Sequence, residues 1–70
     1  MKLHYYPETD SLYIDVSDAV SADSREVAEG VVIDFDAEGN IVEIDIDHAS
    51  TKLNLRTLEA DGLPLAASTT

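Results

Sequence analysis

The sequence contains no cysteine. That excludes disulfides as a source of stability and excludes a thiolate metal site. Bases are scarce: 4 Lys and Arg stand against 15 Asp and Glu, a formal net charge of −11. Nucleic-acid binding rests on Lys and Arg that neutralise phosphates, so this balance argues against it. It argues equally against attachment to an anionic lipid surface. Long apolar runs are missing too, and the start, Met1-Lys2-Leu3-His4-Tyr5-Tyr6, has none behind it. No signal peptide and no membrane span are expected, and the cytoplasm is the expected location. There is no glycine-rich phosphate loop, no nucleophile elbow and no zinc-type histidine pair. No cofactor is expected. Seventy residues make one small domain with little room for an enclosed pocket, so a protein that is not an enzyme is expected.

What the chain does have is alternation. Side chains on a strand point to opposite faces with a period of two. Over Val31 to Asp36 this puts Val31, Ile33 and Phe35 on one face and Val32, Asp34 and Asp36 on the other. Over Ile41 to Asp47 it groups Val42, Ile44 and Ile46, with Ile41, Glu43, Asp45 and Asp47 opposite. β-branched residues dominate both arms, as strands prefer. Between them, Ala37-Glu38-Gly39-Asn40 fits a hairpin loop built on a type I turn with a glycine bulge.

The hairpin therefore has one greasy face and one acidic face. No Lys or Arg lies between residues 26 and 51. Asp34, Asp36, Glu43, Asp45 and Asp47 are the candidate partner-binding residues. Opposite fields steer association, so the fitting partner is a basic protein. A solvated face that only keeps the chain soluble is the plain alternative. A weak calcium site over residues 34–45 is another. Asp34, Asp36, Glu38, Gly39, Asn40, Ile41 and Asp45 fall at the spacing of an EF-hand loop, although Glu38 replaces the usual Asp or Asn. Asp45 stands where that loop needs a longer bidentate Glu, and the flanks alternate like strands where it needs helices. No metal ligand is assigned on this ground.

Elsewhere, Lys2 to Tyr6 and Ser11 to Val16 read as strands joined by the turn Pro7-Glu8-Thr9-Asp10. Leu3, Tyr5, Leu12, Ile14 and Val16 would face the core, and Tyr13 and Asp15 the outer side. Ser17 to Ser24 reads as a loop and Arg25 to Ala28 as a brief edge strand, with Arg25 a solvent-exposed partner for a nearby carboxylate. His4 and His48 have no nucleophile beside them and read as ordinary exposed histidines. Ser50 could cap a helix over Thr51 to Ala60, with Leu55 and Leu58 on its buried stripe and Gly62 and Pro64 at its stop.

Three runs taken together resemble one family. They are Tyr6-Pro7-Glu8-Thr9-Asp10-Ser11-Leu12-Tyr13-Ile14, then Ser24-Arg25-Glu26-Val27-Ala28-Glu29-Gly30-Val31-Val32, then Asp34-Phe35-Asp36 with Gly39, Ile41, Val42 and Ile44. The chain resembles the short bacterial proteins grouped as domain of unknown function 2283 over about residues 1 to 50. The resemblance implies a small antiparallel sheet with a C-terminal helix and brings no activity, catalytic residue or cofactor. It also implies an antitoxin-like partnership with a small toxin.

The expected fold is α+β: an antiparallel β-meander of two hairpins and a short edge strand, with a short C-terminal helix. Residues 1–60 form the domain and 61–70 a loose tail. So thin a core favours added buried area, and a homodimer through a sheet edge or the helix is expected. The expected function is a non-catalytic acidic interaction module, an antitoxin-like partner of a small basic protein. The alternatives are weak divalent-metal binding and a homo-oligomer with no charged partner.

Overall fold

The computed structural model describes residues 1–64. Its strands are β1 (Lys2–Tyr6), β2 (Ser11–Asp15), β3 (Asp23–Ala28), β4 (Val31–Phe35) and β5 (Ile41–Ile46), followed by one helical turn, α1 (Ala49–Lys52). The five strands form one antiparallel sheet in the order β1-β2-β5-β4-β3. The α+β class holds, with a very small helical part. The meander does not hold. The segment after β2 carries the chain past the sheet to its far edge, where β3 starts. β5 then returns to the centre between β4 and β2. The physical reason is apolar matching: Leu12 pairs with Ile46 and Ile14 with Ile44, so two greasy strands meet side by side.

Cross-strand partners share a face. One side therefore carries Leu3 and Tyr5 of β1, Leu12 and Ile14 of β2, Ile44 and Ile46 of β5, and Val31, Ile33 and Phe35 of β4. This is the expected aliphatic side, but it is barely covered. Leu12, Val42, Ile46 and Ala49 are its only buried hydrophobic residues among those described. Leu3 remains 47% exposed and Tyr5 40%. A β-bulge in the β4–β5 ladder pairs Phe35 with Ile41. This corrects the simple alternation, because Ile41 joins the Phe35 side and leaves the acidic one.

The helix also differs from expectation. It ends at Lys52, and Leu55 and Leu58 are 39% and 79% exposed, so no buried stripe forms. Ten residues with two spaced leucines are marginal without a surface to pack on. The cap residue is His48, in the left-handed region at φ 52°, and Ser50 does not cap. Ser50 serves Asp10 instead. Its amide and its hydroxyl both donate to the Asp10 carboxylate, at 3.1 and 2.7 Å. The Tyr5 hydroxyl donates to the same carboxylate at 2.7 Å, and the Ala49 amide donates to the Asp10 carbonyl at 2.8 Å. Asp10 thus pins α1 to the β1–β2 turn, and these donors hold its carboxyl below the usual range, the Ser50 hydroxyl first. Residues 61–64 carry no helix or strand. The rest of the expected tail, residues 65–70, lies outside the described residues.

Candidate functional site: the acidic face of the sheet

The opposite side of the sheet is set by the same registers. Lys2, Asp15, Glu43, Asp34 and Ser24 make one row across all five strands, and His4, Tyr13, Asp45, Val32 and Glu26 make the next. Three carboxylates of the first row stand on neighbouring strands β2, β5 and β4, with Asp45 behind Glu43. The central strands contribute no base, and Lys2 sits at the β1 edge.

Crowding leaves its mark on the protons. The Glu43 carboxyl is pushed up to about 7, first because its protonated form hydrogen-bonds to Asp15, then by burial and by the Asp45 charge. The Asp45 carboxyl is also raised, chiefly by burial, with the charges of Asp34, Asp47 and Asp15 adding to it. Its Oδ1 is buried without a hydrogen-bond partner. Asp34 is relieved by Ser24, whose hydroxyl donates to it at 2.6 Å.

The expected site residues divide. Asp34, Glu43 and Asp45 come together on this face. Asp36 does not act as a free surface acid. Its carboxylate accepts the amides of Glu38 and Asn40 at 2.9 and 2.8 Å, and the Asn40 side chain at 3.2 Å. These donors, the Asn40 amide first, hold its carboxyl below the usual range. Asp36 is the residue that closes the hairpin loop, together with Gly39 at φ 86°. Asp47 is exposed just past β5 at the margin of the face, and its amide donates to the Gly30 carbonyl at 2.8 Å. Asp15 belongs to the cluster and was absent from the candidate set. Its outward position was readable, but its place beside Glu43 follows only from the pairing of β2 with β5.

Aromatic rings border the acids. His4 stacks on Tyr6 at 4.5 Å between centroids, and Tyr6 meets Tyr13 at 5.3 Å. Tyr13 is the registered neighbour of Asp45. Arg25 lies on the other face, 4.1 Å above the Phe35 ring, with Nε 3.7 Å from Asp23. It has the expected carboxylate partner and an aromatic one as well.

The EF-hand spacing is not an EF-hand. Strands flank Gly39, and Asp36 is occupied by loop amides. Among the described residues, no group of three His, Asp or Glu is arranged to hold a metal ion. No described helix is long and apolar enough to cross a membrane.

A family model described as "Protein of unknown function (DUF2283)" matches residues 2–50. The chain belongs to the DUF2283 family. The matched stretch spans the whole sheet and the start of α1, so the family pattern is the pattern of this fold. Within it, Asp10, Asp36 and Gly39 have the structural duties described above. No curated protein and no solved structure matches the chain.

Proposed function

We propose that the chain is a non-catalytic binding module whose acidic sheet face takes a basic protein partner. One observation carries this reading: Asp15, Glu43 and Asp34 form a continuous row on three adjacent strands, with Asp45 behind it. Like charges opposite one another destabilise a sheet, so the isolated fold bears a cost that a cationic partner relieves. The tyrosines at the border suit arginine in particular, whose guanidinium pairs with carboxylates and stacks on rings. A small basic toxin, as the family resemblance implies, is one partner of this chemistry.

The test uses an arginine-rich peptide and titration calorimetry at rising salt. Affinity should fall steeply with salt, and the triple variant Asp34→Asn/Glu43→Gln/Asp45→Asn should bind at least tenfold more weakly. The control variant Asp18→Asn/Glu29→Gln/Glu38→Gln has the same net charge and should bind like wild type. Equal losses in both variants would reduce the face to bulk charge and defeat the proposal.

A further inference from the structure

The apolar side of the sheet is a layer without a second layer. Sheets with one greasy face are stable when that face is packed on another element. Here α1 covers only one end, where Ala49 sits on Leu12 and Ile46. The row Leu3, Ile14, Ile44, Ile33 has no buried member among its four aliphatics. The stretch after α1 does not supply the cover, since Leu53, Leu55, Leu58 and Leu63 are themselves 39–79% exposed.

We propose that this face is covered by the same face of a second copy of the chain, closing a two-layer β-sandwich with both acidic faces outward. Its area fits. Strands about 4.8 Å apart and about 3.3 Å per residue give a footprint of about 400 Å², of which α1 takes one end. Corrugated by half-exposed side chains such as Leu3, Tyr5 and Ile41, two such faces hide on the order of 1,000 Å², the low end of specific interfaces.

The charge distribution also fits a copy. Each protomer carries −11, which opposes association through any charged surface. The strands of the apolar face carry little of that charge: Arg25 and Asp23 on edge strand β3 are paired with each other, and at the α1 end the Asp10 carboxylate is taken up by Tyr5 and Ser50. Sheets in a sandwich pack about 10 Å apart, and the carboxylates project away from the joint on either side. The two acidic faces are then separated by well over the Debye length of about 8 Å. A foreign cationic partner finds nothing to pair with here, whereas an aliphatic grid matches itself under a two-fold axis. This differs from the expected dimer through an edge or the helix, and it does not depend on what the acidic face binds.

The test is sedimentation velocity of the full chain across concentration and salt. The expected result is a dimer that persists or tightens as salt rises, opposite in sign to binding at the acidic face. Leu3→Glu sits on the exposed β1 end of the face, where Leu3 is already 47% exposed, and should leave the monomer folded. It should weaken the dimer at least tenfold, keep its circular dichroism and gain binding of the apolar dye ANS. Ile33→Thr, which keeps the β-branch, should weaken it less. A monomeric wild type at about 100 μM overturns the proposal, whether the face is then shielded by the chain's own end or open for another protein. A dimer that ignores Leu3→Glu and Ile33→Thr but is lost with Val27→Pro on edge strand β3 overturns it in favour of edge pairing.

Discussion

Replacing Glu43 with Gln should stabilise the protein most above neutral pH, and progressively less as pH falls toward 4.5. Glu43 faces Asp15 on β2 and Asp34 on β4 and shares its strand face with Asp45. Its folded pKa of about 7 lies above the ordinary 4.5, so the folded state holds the proton more tightly than the unfolded chain. Stability therefore falls as pH rises from 4.5 through about 7, and the cost is fully present above that window. In a fully shielded site the shift would amount to about 3 kcal/mol, at about 1.4 kcal/mol per pH unit. Glu43 is only half-buried, and water screens its neighbours, which brings the figure to about 1 kcal/mol. For a domain of this size that is about 5 °C in Tm.

The assay is thermal unfolding of wild type and variant at one protein concentration, from about pH 8 down to about pH 5, where Asp10 and Asp36 keep their contribution. Both proteins carry His4→Gln and His48→Gln, so that the two differ at position 43 alone. The protein that keeps Glu43 should gain more stability toward about pH 5 than the Glu43→Gln variant, in which only the raised Asp45 carboxyl of this pair remains. Parallel curves, or a Glu43 protein that loses stability as pH falls from about 8 to about 6, would refute the account of the acidic row.

Gly30→Ala should cost about 1 kcal/mol in urea unfolding, because Gly30 holds φ 75° at the β3–β4 turn. A Cβ there would also lie 2.9 Å from the Lys52 Nζ, which donates to the Asp47 carbonyl; that flexible side chain can swing aside, so the positive φ carries most of the cost. Asp36→Asn should speed amide exchange at Glu38 and Asn40 and lower Tm. Its arginine-peptide affinity should change no more than that of Glu38→Gln, which removes one charge from the same loop.

The period-two pattern around Gly39 was enough to place β4 and β5 and to separate aliphatics from carboxylates. The same rule placed β1 and β2, because each has its own turn and its own alternation. Local chemistry misled where a residue's partner was distant. Ser50 has the form of a helix cap, yet it bonds to Asp10, forty positions away in the chain. Asp36 has the form of a surface acid, yet its lone pairs are taken by loop amides that only the closed turn aims at it. Leu55 and Leu58 have helical spacing, yet the helix stops before them and neither is buried.

The chain alone determined two strongly different faces and a surplus of negative charge, because alternation is a property of neighbours along the backbone. Only the tertiary structure decided that β5 lies beside β2, which sets Asp15 against Glu43 and makes one acidic row out of two separate hairpins. Strand order depends on which apolar edges find each other after the chain crosses from β2 to β3, and no local pattern encodes that choice.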